Sequence, residues 1–232
     1  VVRTILERKY AGYVPAEYVE KVVRSITDDS VQLRELRYLK PTAVAPAISG
    51  HPCEKIALVF HDQHAIHHVH ERGYVEAPVR VRSILTEIAQ GPLFEILPAA
   101  TFPEKALASV HDVDFINFLR RTCADIQQDD PIYPYVFPVR NKARPPKDRS
   151  LLAGYFCIDT FTPITRHAYA AARGAANCTL TAAQELLKGR RMAYALVRPP
   201  GHHAERRAFG GFCYFNNCAV AAQSLRGHGR VA

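Results

Sequence analysis

The chain is 232 residues long, 48% hydrophobic and 22% charged, which is the composition of a globular protein rather than a disordered or low-complexity one. No apolar run approaches the roughly 20 residues that a bilayer-crossing helix needs, so no membrane partner is expected. The formal net charge is +8, but the 30 Lys and Arg residues are dispersed with no basic block interleaved with aromatics, so direct nucleic-acid binding is not expected either.

The opening residues, VVRTILERKY, contain neither an initiator Met nor a signal-peptide apolar core, so an excerpt boundary is expected there. Residues 1–40 read as helical and charged. Pro15 suits a first helical position before AEYVEKVVRSI, and Asp28, Asp29 and Ser30 offer caps for VQLRELRYLK. The stretch PTAVAPAISGHP follows as a linker. Residues 1–50 are therefore expected to form a helical extension and linker, and residues 51–232 a separate domain.

Beyond the linker, strand and helix signals alternate. KIALVF (55–60) is an apolar run of buried-strand length, and APVRVRSILTEIAQ (77–90) is a helix stopped by Gly91 and Pro92. FEILPA (94–99) is a second strand. PEKALASVH and DVDFINFLRRTCADI, together 103–126, are helical, with Phe115, Phe118 and Leu119 on the apolar face. The proline-punctuated stretch QQDDPIYPYVFPVRNKARPPKDRS reads as a long loop with no regular element. TRHAYAAARGAANCTLTAAQELLKG (165–189) is a long alanine-rich helix, RMAYALV (191–197) a buried strand, and NNCAVAAQSLRG (216–227) a helix with an Asn cap and a Gly stop. Such alternation predicts an α/β fold with a parallel sheet and helices on both faces. Arg230, Val231 and Ala232 read as the first residues of another buried strand, so the fold is expected to be truncated at this end.

Six cysteines (Cys53, Cys123, Cys157, Cys178, Cys213, Cys218) are scattered with no C-x-x-C pair. In a core-rich chain this predicts reduced thiols in a cytoplasmic or nuclear setting, not a disulfide framework or a cysteine-built zinc site.

The chemistry concentrates in RPPGHHAERRAFGGFCYFNN, residues 198–217. Ligand sites in parallel sheets form beyond the carboxyl ends of strands, and RMAYALV runs directly into this segment. Pro199 and Pro200 stiffen the exit, and Gly201 permits an unusual backbone angle, so His202 and His203 would be held in a set posture. Imidazole is the side chain best matched to proton transfer near neutral pH. Gly210 and Gly211 allow backbone to approach a ligand, and Phe212 can form one wall of a slot suited to a long thin substrate arm. A second candidate is HDQHAIHHVH (61–70), with five histidines in ten residues and His64 and His68 at helical i, i+4 spacing. A solvated loop accounts for it better than a zinc site does.

The block RPPGHHA followed by GGFCYFNNCAVAA resembles the histone deacetylase and acetylpolyamine amidohydrolase superfamily, the zinc-dependent members of the arginase/deacetylase fold. HDQHAIHH through VEAPVRVRSIL, VHDVDFINFL and GYFCIDTFTPITRHAYAAARGAA extend the resemblance back to residue 55. It implies a three-layer α/β/α parallel sheet and hydrolysis of an N-acetyl or longer N-acyl amide on a lysine side chain or a polyamine. It also implies His202 and His203 as electrostatic and general acid–base catalysts on a metal-bound water. Gly211 and Phe212 match the channel positions that hold the acyl-amine arm. Cys213 matches a residue behind the floor of the site, where a small buried apolar role is expected. The family's zinc ligands, an Asp-x-His and a later Asp, have no counterpart here, nor do its oxyanion-stabilising Tyr and the carboxylates that orient the histidines. The zinc ligands are therefore expected beyond Ala232, and the 232-residue chain alone is expected to be inactive. The rival readings are a non-catalytic interaction module of the same fold and, last, a two-manganese ureohydrolase.

Overall fold

The structure is a computed structural model that describes residues 2–9, 12–27, 54–71, 74–127, 130–135 and 145–231. The chain divides into two compact units, Val1–His51 and Pro52–Ala232. In the first, α1 (Val2–Lys9) and α2 (Ala16–Thr27) form a helical pair. α2 begins directly after Pro15, whose carbonyl accepts from the Tyr18 N–H at 2.9 Å. Arg3 on α1 pairs with Glu20 on α2, with Nη2 3.1 Å from Oε2. The caps expected at Asp28, Asp29 and Ser30, the helix over VQLRELRYLK, the linker and Cys53 lie outside the described residues.

The second unit is built on three parallel strands, β1 (Ile56–Phe60), β2 (Phe94–Pro98) and β3 (Ala193–Leu196), in the order β2-β1-β3. Leu58 lies opposite both Ile96 and Tyr194. Period-2 alternation sends the central strand's side chains to two different layers. On one face Leu58 and Leu196, with Phe60 and Phe94, pack against Val81, Ile84, Leu85 and Ile88 of α3 (Val79–Ile88). On the other, Val59 with Leu97, Ala193, Ala195 and Val197 packs against Cys178 and Ala182 of α7 (Ala168–Leu187). This is the three-layer α/β/α arrangement. The small residues of α7 make the close approach feasible, since Ala168, Ala171, Ala172, Ala175 and Ala176 are all buried.

A larger core lies to one side of the sheet. α4 (Lys105–Ala108), α5 (Val113–Asp125), α6 (Arg149–Tyr155) and α8 (Asn217–Leu225) meet α7 there around Phe115, Phe118, Phe156, Phe209, Tyr214 and Phe215. Phe118 stacks on Phe156 with centroids 4.7 Å apart, and Phe209 on Tyr214 at 5.9 Å. The Asn216 side chain accepts from the Ala219 N–H at 2.9 Å, so α8 carries its Asn cap.

Two expectations need correction. The loop expected over 127–150 ends earlier, because Asp148 accepts from the Leu151 N–H at 3.0 Å and caps α6, which starts at Arg149. The strand expected at Arg230 and Val231 is absent there. Neither residue is paired in the sheet, and Val231 is 46% exposed. Strand conformation in water needs a hydrogen-bonded neighbour, and these two residues have none in the sheet. Among the described residues no helix is long and apolar enough to cross a membrane.

Candidate active site

The sheet order determines where a site can form. From β1 the chain crosses by α3 to β2, while β3 is reached through α7 on the opposite face, so the connections diverge at the carboxyl ends of β1 and β3. Open parallel sheets bind ligands at such switch points. Here the crevice receives residues 61–71 after β1 and residues 197–203 after β3.

Arg198 ties these two segments together. It is 0% exposed, yet it is a full cation. Its Nε lies 2.9 Å from Oε2 of Glu76, whose side chain is only 8% exposed. Its Nη1 donates to the carbonyls of His64, at 2.7 Å, and of His67. Burial pushes the Glu76 carboxyl up in pKa against the opposing pull of Arg198 and Arg80, and burial likewise lowers Arg198. Arg80, from α3, donates to the Val197 carbonyl at 2.7 Å. Sequence reading treated Arg198 only as part of a motif, and nothing local could reveal partners more than 120 positions away.

Past Arg198 the chain passes a cis peptide bond to Pro199 and reaches His202 and His203, both exposed, with ring centroids 4.3 Å apart. Gly201 does not have the unusual backbone angle expected of it; its role is steric. A Cβ there would sit 2.6 Å from both the Asn217 nitrogen and the Phe215 oxygen, so the loop lies directly on the start of α8. His202 borders an open hollow of about 580 Å3 shared with Tyr194, Leu196, Val197 and Pro200.

Gly211 supports His203 from below. A Cβ at Gly211 would lie 2.4 Å from the His203 Cδ2, so only glycine lets backbone meet the imidazole this closely. Phe212 is half-buried, with its ring edge-on to Tyr74 at 5.1 Å and to Phe161 at 5.7 Å. The structure thus places Phe212 in an aromatic group whose other two members sequence reading did not single out. Cys213 is fully buried, and burial raises its thiol pKa, as suits a small apolar residue beneath the site.

The middle and the far end of the 198–216 loop are braced as well. Buried His111, between α4 and α5, contacts the Glu205 carbonyl through Nδ1 at 2.9 Å and accepts from the Asn216 N–H through Nε2 at 2.9 Å. Those partners require the proton on Nδ1. Asn216 donates to the Ala204 carbonyl at 3.0 Å.

His67 sits beneath the same region, 1% exposed, with Nδ1 2.7 Å from the Thr165 hydroxyl and Nε2 3.2 Å from the Tyr214 hydroxyl. Burial first, then Arg198, depress its pKa to about 3. The folded value lies below the unfolded one, so the unfolded chain binds the extra proton between them. The stability that neutral His67 confers is complete above about pH 6.5 and is lost as pH falls toward 3, by at most about 1.4 kcal/mol per unit. Urea denaturation of wild type and His67→Asn from pH 7.5 to 5 is expected to show a shallower pH slope in the variant. Equal slopes would overturn the assignment.

The histidine-rich segment is not the helix that the i, i+4 spacing suggested. Asp62–Ile66 is a 3-10 turn and His67 is extended, so His64 and His68 lack the helical spacing expected of them. The solvated-loop reading also fails in part, because His67 is buried. The rings of His68 and His70 meet at a tilt, with centroids 4.0 Å apart. Among the described residues no group of three His, Cys, Asp or Glu side chains could hold a metal ion. The pair His202 and His203, with a buried thiol beneath, does not fit a catalytic zinc, which needs about three protein ligands and an open position.

Comparison with known proteins agrees with this fold. The histone deacetylase domain family matches residues 59–232. The chain is 33% identical over 187 residues to Acetylpolyamine amidohydrolase 2 of Pseudomonas aeruginosa, covering 75% of this chain and 54% of the relative. It is 36% identical over 189 residues to the acetylpolyamine amidohydrolase of Burkholderia pseudomallei, with the same coverages of 75% and 54%. The crystal structure of an acetylpolyamine aminohydrolase from Burkholderia pseudomallei superposes with a TM-score of 0.62 at 32% identity, over 75% of this chain and 53% of that one. The chain spans about half the length of the curated relatives it matches.

Proposed function

The chain belongs to the histone deacetylase and acetylpolyamine amidohydrolase superfamily, and from that premise we propose that it carries the proton-handling half of an amidohydrolase site. The observation that supports this most directly is the exposed His202–His203 pair at the carboxyl end of β3, with Gly211 packed against the second ring. In this reading, one imidazole nitrogen takes a proton from the water that attacks the amide carbonyl carbon. As the C–N bond breaks, a proton is returned to the departing nitrogen, leaving a free amine and a carboxylate. The aromatic group of Tyr74, Phe161 and Phe212 walls the methylene arm that carries the amide, and Gly211 lets that arm pass close to backbone.

The substrate class we propose is an N-acetylated polyamine or an acetyl-lysine side chain, in keeping with relatives named as acetylpolyamine amidohydrolases. We assign zinc to the whole protein, with ligands outside the described residues, where it would polarise the carbonyl and activate water.

The test compares the full-length protein with the 232-residue chain, each purified and assayed for metal content and for acetate release from an acetylated polyamine and an acetyl-lysine peptide. The full-length protein is expected to hold one zinc and release acetate; the 232-residue chain is expected to do neither, because the described residues offer no three-ligand group. Absence of turnover in the full-length protein on both substrates would favour the second reading, an interaction module of the same fold. Zinc with turnover in the shorter chain would overturn the ligand assignment.

A further inference from the structure

Gly211 and Phe212 are consecutive left-handed residues, with φ of 56° and 64°. For Phe212, which carries a Cβ and a bulky ring, this conformation is strained, so surrounding contacts must hold it. We infer that Asp159 and Thr162 are the positioning residues that impose this turn and so fix His203 and Phe212 together.

The contacts leave little freedom. The Gly211 N–H donates to Asp159 Oδ2, and the Phe212 N–H donates to the Thr162 hydroxyl oxygen at 3.1 Å. The Thr162 hydroxyl spends its own proton on Asp159 Oδ2 at 3.0 Å, which leaves only its lone pairs facing Phe212. Asp159 Oδ1 accepts from the Phe161 and Thr162 N–H groups at 3.0 and 2.8 Å, so the carboxylate folds its own loop around itself. Thr162 is 0% exposed, so water does not stand in for a lost acceptor. Two successive amides therefore depend on a two-residue relay from a different loop. Gly211 is the residue against which His203 rests, and Phe212 sits between Tyr74 and Phe161. Any relaxation of the turn displaces the proton-handling imidazole and the wall of the arm at once.

This inference rests on the proposed amide-hydrolysing role of His203, and the experiment separates the two. Thr162→Val keeps the shape and removes the hydroxyl; Thr162→Ser keeps the hydroxyl; Asp159→Asn can keep the Oδ1 contacts while presenting an NH2 group to the Gly211 N–H. In the full-length protein, Thr162→Val and Asp159→Asn are expected to lower kcat and kcat/KM together by roughly 10–10²-fold, the scale of an ångström-level misplacement. Thr162→Ser is expected to stay within a few-fold of wild type. Amide hydrogen exchange at Gly211 and Phe212 should quicken in Thr162→Val and Asp159→Asn but not in Thr162→Ser. Unchanged kinetics in Thr162→Val, or equal losses in the Val and Ser variants, would overturn the positioning role. A wild-type protein without turnover would remove the amidohydrolase reading instead. Exchange alone then decides on the relay, and unaltered protection at both amides in Thr162→Val would overturn it.

Discussion

Alanine at His202 or at His203 in the full-length protein is expected to lower amide hydrolysis by roughly 10²–10⁴-fold, the usual contribution of a positioned general acid–base group. Folding should be nearly unaffected. Both side chains are exposed, and their closest ring contact is with each other. The loop that carries them is held by other residues: Arg198 at its start, and His111 and Asn216 toward its end. The structure thus separates the groups available for chemistry from the groups that keep the loop in place. Zinc content and thermal midpoint are the controls, and both should remain near wild type. The buried histidines provide the contrast. Substitution of His67 or His111 removes hydrogen bonds from the interior and should act on stability first. Wild-type turnover in both the His202 and His203 variants would sink their assignment.

The three strands were legible in the sequence because each is a short apolar run bounded by turn residues. The long helix α7 was legible from its alanine content and its Gly189 stop. The place of His202 and His203 just past β3 was equally plain, since a strand pattern runs straight into them. What could not be read was anything set by distant partners. α6 was hidden in a proline-rich stretch, where only Asp148 signalled a helix start. Phe212 read as a channel wall, yet nothing about a phenylalanine announces a left-handed backbone; that follows from acceptors on Asp159 and Thr162, some 50 positions earlier. The histidine run at 61–70 looked like one feature and is several. His61 accepts from the Gln63 N–H and so caps the 3-10 turn, His64 lends its carbonyl to Arg198, His67 is interior, and the His68 ring meets His70 at a tilt. Residue type does not distinguish these roles; burial does in part, since His67 is interior while His70 is exposed.

Arg198→Met is expected to destabilise the full-length protein by about 3–5 kcal/mol, the range found when one member of a buried ion pair is removed. Two losses combine. The Glu76 carboxylate, whose side chain is 8% exposed, is left without its nearest cation; Arg80 stands 4.0 Å away and is directed to the Val197 carbonyl. The carbonyls of His64 and His67 also lose their donor. Adding Glu76→Leu should recover part of the loss, because it removes the uncompensated charge, but not all of it, because the two carbonyls remain unsatisfied. Arg198→Lys should fall between, since an ammonium lacks the planar fork that reaches several acceptors at once. Guanidinium denaturation of the four proteins measures these differences directly. A loss below about 1 kcal/mol for Arg198→Met would mean the guanidinium contributes no more than an exposed ion pair. A double variant no more stable than the single would show that Glu76 is not the group left stranded. The order wild type, Arg198→Lys, double variant, Arg198→Met would instead identify the joint between the loops after β1 and β3 as a charge and two carbonyls held by one guanidinium, the frame on which His202 and His203 are mounted.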